Sequence, residues 1–436
     1  MVSLGAFISA FKTPDLRAKI LFTLGIMAIF RLGSFIPTPG VDFGNVRECL
    51  ALAETQGGVF GLINLFSGGA LLQLSIFALG ILPYITASII VQLLTVVIPR
   101  FEELKKEGQT GTAKLTQYTR YLTIGLAILQ STTFVTLART NAIFGGACDP
   151  AAFPTIPDQS VPVLLLMILT MTAGTGLIMW LGELITARGV GNGMSLLIFT
   201  SIAATFPSSL WNIAQQQSFE TMLLVIAIGL VIVAAVVFVE QSQRRIPVQY
   251  AKRMVGQRAY GGTSTYIPLK VNMAGVIPVI FASSLLYLPA LIAQFSPEST
   301  WAGWINTYFA TGDHPIYMAV YFGLIIFFAF FYVAITFNPD DVAENMRKYG
   351  GFIPGIRAGR PTAEYLDYVI TRITFPGAIY LGVVALIPLV AIVLVDANQN
   401  FPFGGASILI VVGVGLETVK QIQSQLQQRN YEGFLR

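Results

Sequence analysis

Apolar residues run through this chain in long, nearly unbroken blocks, each closed by a charged or Pro/Gly-rich segment. A helix needs about 20 residues to cross a hydrocarbon core of about 30 Å, so blocks of that length are the unit to count. Ten are found, near 18–37, 72–98, 121–138, 160–182, 190–207, 220–241, 271–294, 316–337, 372–395 and 403–421. The run from Tyr121, YLTIGLAILQSTTFVTLAR, meets no charge before Arg139. Two blocks are less regular. The fifth is short and opens with glycines, and the first carries Arg31, which costs roughly 2.5–3.5 kcal/mol at a bilayer centre unless it snorkels or is partnered. The pattern predicts an all-α polytopic membrane protein with ten transmembrane helices.

Composition agrees with that reading. Of 436 residues, 54% are apolar and 11% are charged, against about 25% charged in soluble domains. Mean hydropathy is +0.70, so disordered, collagen-like and soluble multidomain classes fall away. A net charge of +4 is too small to mark a DNA partner.

The placement of charge orients the chain, because inner loops hold the excess of Lys and Arg. With the N-terminus inside, Arg47 and Arg139 alone fall outside and Arg31 falls within a span; every other Lys and Arg of the 26 lies on the inner side. One missed span would invert all later loops and mix the two sets. Both termini are therefore expected on the inner side. Ser3 to Ile20 reads as an amphipathic stretch flat on the inner surface, with no cleavage site for a signal.

Five spans precede the outer crossing and five follow it, so the second half enters the membrane from the opposite side. The expected units are 1–207, an outer hinge at 208–219, and 220–436 with inner loops at 242–270 and 338–372. Inverted halves are a recurrent way to build a pathway at the midplane. Here only the topology suggests it, since the halves share no clear residue pattern.

Reactive chemistry is scarce. No P-loop, H-E-x-x-H, G-x-S-x-G or metal-spaced cysteine pair occurs, so neither a cofactor nor a metal site is expected. Gly189–Gly193 and Gly350–Gly355 read as helix starts and tight turns. His314 reads as a solvated loop residue. Cys49 and Cys148 fall in outer loops and are either bridged in an oxidising space or both free. Glu183, Glu220, Glu240 and Glu417 sit at or near span ends, which disfavours an ion-coupled carrier.

Mild polar groups remain inside the spans: Thr86, Ser88 and Gln92 in the second, Gln130 and Ser131 in the third, Ser283 and Ser284 in the seventh. They read either as ordinary interhelical bonds, worth roughly 0.6 kcal/mol each, or as weak contacts closing a seam that must reopen. Before the second span, Gly61-Leu62-Ile63-Asn64-Leu65-Phe66-Ser67-Gly68-Gly69 is apolar and too short to cross. Such a half-helix lies at the interface or dips into a cavity open to the outside. The loop 242–270 carries Arg244, Arg245, Lys252, Arg253, Arg258 and Lys270 with no acid. Orientation explains part of that charge, and docking of RNA phosphate or an acidic protein would explain the rest.

Several stretches resemble one known family. FRLGSFIPTPGVD (30–42), NLFSGGALLQLSIFALGILPYITASIIVQLL (64–94), KKEGQTGTAKLTQYTRY (105–121), GVGNGMSLLIF (189–199), QRRIPVQYAKR (243–253), PLKVNMAGVIPVIFASS (268–284) and PGIRAGRPTAEYL (354–366) closely resemble the SecY family, channel subunits of the bacterial protein-translocation machinery. The resemblance implies two inverted five-helix halves around a central hourglass pore, passing unfolded preproteins across the plasma membrane or releasing hydrophobic segments sideways into lipid. It implies SecE-like and SecG-like small membrane subunits, and either the SecA motor or a ribosome on the inner face.

Residue by residue, GLINLFSGG resembles the plug of the family's outer funnel. The positions matching its pore ring are Ile81 and Ile85 in GILPYI, Ile198 in GMSLLIF, Ile280 in PVIFASS and Ile410 in GGASILI. A narrow apolar ring dewets and resists ion leak while offering a passing chain no hydrogen bond. Thr86, Gln130, Ser283 and Ser284 match the lateral gate between the second and third spans and the seventh and eighth. Arg357 matches an inner-loop arginine tied to motor-driven transport. Lys252, Arg253 and Arg258, with Arg245 before them, match the other basic docking loop. The competing expectation from another class is a secondary transporter of a small solute.

Overall fold

The computed structural model describes residues 11–53, 69–144, 148–149, 152–216, 219–250, 253–255, 258–260, 264–293, 299–310, 314–395 and 405–432. The predicted plug therefore lies outside the described residues except for Gly69, as does Lys252 of the docking set.

Each predicted span falls on a helix. In chain order they are α1 (Pro14–Gly33), α3 (Leu82–Val97), α5 (Gln109–Arg139), α6 (Val161–Arg188), α7 (Gly193–Gln216), α8 (Phe219–Gln241), α9 (Ile277–Ala293), α11 (Pro315–Thr336), α13 (Arg360–Val395) and α14 (Gly405–Glu432). Between them lie the short α2 (Phe43–Ala53), α4 (Pro99–Lys106), α10 (Thr300–Ile305) and α12 (Pro339–Lys348). By length and hydropathy alone, α5, α6, α13 and the segment Pro315–Lys348 qualify as crossings among the described residues. The pair α3 and α4 joins them as one span bent by 100°, the bend falling at Pro99, which has no N–H to continue the helix.

Several helix boundaries differ from expectation, and two of them change the local architecture. The block at 72–98 is helical only from Leu82. Upstream, Thr38 N donates to Leu74 O at 3.0 Å and Ile76 N to Ile36 O at 2.9 Å, so the chain pairs with the end of the first span instead of coiling. Gly80 takes φ +55°, which a side chain would resist, and Pro83 starts the helix. The fifth block extends as α7 through Pro207 to Gln216, so most of the predicted hinge at 208–219 is helix.

The predicted inner loops carry secondary structure of their own. The described residues of 242–270 include β1 (Gln243–Tyr250), β2 (Arg253–Val255), β3 (Arg258–Tyr260) and β4 (Ser264–Lys270). Strand β1 pairs antiparallel with β4 from Gln243↔Lys270 to Gln249↔Ser264. On its other side it takes β5 (Gly351–Phe352) from the second inner loop through Gln249↔Phe352 and Tyr250↔Gly351. The two predicted loops are thus one unit on a helical bundle. Their common core packs Ile246, Val248 and Leu269 of the sheet against Met346, Ile353 and Leu366.

Helices α1, α3, α5, α6 and α7 pack among themselves, and so do α8, α9, α11, α13 and α14. The two sets meet where α7 packs on α8 and α14, and where α3 packs on α9. In lipid the apolar effect does not drive helices together, so close fit and interhelical bonds carry the packing. One such bond joins α5 to α6 at Ser131 Oγ and Thr172 Oγ1, 3.3 Å apart.

One end of the first half is capped by a separate apolar cluster holding Val46, Cys49, Phe134, Ile143 and Cys148. Of the two alternatives for the cysteines, the structure has the bridge, with Cα atoms 5.6 Å apart. Around it Asn45 Nδ2 donates to Pro154 O at 2.9 Å, Asn141 Nδ2 to Phe153 O at 2.8 Å, and Thr155 Oγ1 to Asn141 Oδ1 at 2.8 Å. A bridge across 99 residues restrains the unfolded chain strongly. Replacing Cys49 with serine is expected to cost about 2 kcal/mol of stability, read as a lower thermal midpoint in detergent. Reduction of the unaltered chain should lower the midpoint likewise, and no shift in either would mean the bridge adds nothing to the cap.

Candidate functional site

Five isoleucines were expected to share one place, and four helices of both halves supply them. Ile81 immediately precedes α3 and Ile85 lies on its first turn, Ile198 is on α7, Ile280 on α9 and Ile410 on α14. Ile81, Ile85, Ile198 and Ile410 are between 1% and 9% exposed and belong to a single apolar cluster, and half-buried Ile280 packs against it. Each is placed by local rules. Pro83, in the first turn of α3 two residues after Ile81, fixes the start of that helix. Asn192 Oδ1 accepts from Met194 N at 3.1 Å at the start of α7, setting the phase of Ile198. The same cluster extends to Phe281 and Phe328, whose rings meet edge-on at 5.7 Å and tie α9 to α11. A site of this makeup has no group for acid–base or nucleophilic work.

Of the expected gate residues, Thr86 lies on α3 and Ser283 and Ser284 on α9, two helices that touch each other. Thr86 Oγ1 donates to Leu82 O at 3.0 Å and Ser283 Oγ to Ile280 O at 2.9 Å, both within their own helices. Gln130 is buried on α5. Ser284 Oγ is buried with no hydrogen-bond partner among the described residues. The two satisfied hydroxyls thus leave the α3–α9 seam to side-chain packing.

Among the expected docking residues, Arg245 is exposed on β1, its guanidinium 4.8 Å from the Tyr266 ring. Arg253 and Arg258 sit on the paired strands β2 and β3, opposite Tyr260 and Val255. Arg357 is exposed in the turn between β5 and α13, where its carbonyl accepts from Thr362 Oγ1 at 2.9 Å. Arg245 thus lies on the three-stranded sheet β4–β1–β5 and Arg357 follows its edge strand, while Arg253 and Arg258 lie on a separate two-stranded sheet. Sequence reasoning missed one prominent polar contact: Arg120 binds Glu183 through Nε–Oε1 at 2.8 Å and Nη2–Oε2 at 2.7 Å, joining α5 to α6. The signal was present, since opposite charges near the inner ends of consecutive antiparallel helices fall at similar depth. Among the described residues no cluster of three or more potential metal ligands is found.

Residues 75–419 match the family model SecY. The chain belongs to the SecY family. The protein translocase subunit SecY of Streptomyces scabiei is 67% identical over 438 residues, covering 99% of this chain and 100% of that one. The corresponding subunit of Mycobacterium tuberculosis H37Rv is 59% identical over 444 residues, again covering 99% and 100%. A solved structure described as that of a protein conducting channel shares the fold at a TM-score of 0.62 and 19% identity, covering 93% of this chain and 91% of that one. Canine Sec61 in a ribosome–channel complex from the endoplasmic reticulum superimposes at a TM-score of 0.60 and 18% identity over the same shares. As a member of the SecY family, this chain is a multi-pass membrane protein, a protein-conducting channel and not an enzyme. The small-solute transporter is not favoured.

Proposed function

We propose that this SecY-family chain is a passive conduit in the bacterial plasma membrane, with both termini inside, whose waist is the ring Ile81, Ile85, Ile198, Ile280 and Ile410. The observation that carries the reading is the convergence of these five side chains, drawn from both halves, on one buried apolar cluster. An apolar waist yields to an unfolded chain because it forms no hydrogen bonds that must be broken, and it closes to ions because water leaves it.

Force then has to come from outside the chain. Exposed Arg245 and Arg357, with Arg253 and Arg258 on the separate β2–β3 pair and Lys252 beside it in sequence, offer basic contacts to a SecA-type motor or to ribosomal RNA. Small subunits of the SecE and SecG kinds hold the two halves together, and the region 61–69 seals the outer side. Signal sequences and hydrophobic segments leave to membrane lipid between α3 and α9, where own-helix hydrogen bonding of Thr86 and Ser283 leaves an easily parted seam. The test is reconstitution with a SecE-type subunit and SecA, followed by protease protection of a preprotein. Protection that requires ATP is expected. Its absence with an intact complex would overturn the reading.

A further inference from the structure

The β1–β4 hairpin is the part of the inner face that a motor or ribosome would grip, and α9 carries Ile280 of the ring. Only the link 271–276 separates them. A slack link would let the hairpin swing without moving α9. This one is held from both sides.

Val271 N donates to Ser242 O at 3.0 Å, closing the base of the hairpin beyond the Gln243↔Lys270 pair. Asn272 is 3% exposed. Its Nδ2 donates to Glu240 Oε1 at 2.6 Å and to Gly275 O at 3.1 Å. Glu240 belongs to the last turn of α8, and Lys270 and Lys420 lie within electrostatic reach of it. From the opposite side α13 comes so close that a Cβ at Gly377 would stand 2.5 Å from Val271 O. A hydrogen bond to an ionised carboxylate is shorter and about twice as strong as a neutral one.

We propose that the Glu240–Asn272 bond is a mechanical clamp that makes the hairpin base, the inner end of α8 and the leader of α9 one rigid piece. Displacement of the hairpin by a docked motor is thereby delivered to α9, and so to Ile280 and the seam. Both residues are positioning residues, since neither touches the passing chain. The inference rests on the docking reading above.

The test uses the full chain, reconstituted with its small subunits, and reads ATP-driven preprotein transport, motor affinity and thermal midpoint. Asn272→Asp removes the donor and sets two carboxylates together, and should slow transport about tenfold, the factor such a bond carries. Motor affinity should stay within about twofold, because the docking arginines are untouched. The reversed pair, Glu240→Gln with Asn272→Asp, returns a donor and an acceptor and should restore transport. If Asn272→Asp does not accumulate, Glu240→Ala at a half-exposed position replaces it with the same expected loss.

Three results would overturn the clamp: full transport by the single variants, no rescue by the reversed pair, or motor affinity falling in step with transport. An unaltered complex that transports nothing is a different outcome. It would overturn the docking reading first and the clamp with it.

Discussion

Serine in place of Ile81 raises the resting ion conductance of the reconstituted channel about a hundredfold, because a polar group at a narrow apolar constriction lets water stay. Ile81 is 2% exposed within the central cluster, so its side chain has no route to lipid without a change of fold. Ile85→Ser and Ile280→Ser should act in the same direction. Ile81→Val keeps the site apolar and should leave the seal intact, at a stability cost of about 1 kcal/mol. The control is Ile128→Ser on α5, a position 47% exposed that lies outside the cluster, and it should change nothing. Single-channel recording in planar bilayers reads all of these. Unchanged conductance with a folded protein would remove the residue from the ring.

Charge reversal at Arg357 is the second large effect. The side chain is exposed in a turn whose backbone is held by the Thr362 hydroxyl. Glutamate there costs the fold little but sets like charges against an acidic partner, a penalty of several kcal/mol. ATP-driven transport of a secreted preprotein should fall about a hundredfold, while insertion of membrane proteins changes by less than about twofold. The thermal midpoint should not move. Equal loss of both activities would point to a folding defect and take Arg357 out of the docking surface.

The parts that were legible in the sequence are those that lipid enforces. A backbone crossing a bilayer must satisfy its own hydrogen bonds and present an apolar exterior, so long helices announce themselves as blocks. Where the rule weakens, the reading went astray. Hydropathy extended the second block back to residue 72 because Leu74, Phe77 and Leu79 are apolar, yet they are buried in turns paired with residues 36–38. Gly80 and Pro83 were the available signals. In the first inner loop, buried Ile246 and Val248 alternate with exposed Arg245, Pro247 and Gln249, a period-two pattern that the high charge obscured.

Contacts between distant positions were not read from the sequence. The Asn272–Glu240 bond spans 32 residues, Arg120–Glu183 spans 63 and the disulfide 99. Each partner alone looks like a span-end charge, a polar loop residue or a spare thiol.

By itself the sequence settled the membrane class, the position of its long apolar segments and the asymmetry of its charge. It also held the motifs by which the family is known. Only the tertiary structure decided how deeply each isoleucine is buried: Ile81 is 2% exposed while Ile29 is 53% exposed, though both lie within long apolar segments of the chain. In water the two would differ in their neighbours' polarity. In lipid the outside of the bundle is as apolar as its centre, so composition carries no sign of direction, and the packing of α3, α7, α9 and α14 supplies it.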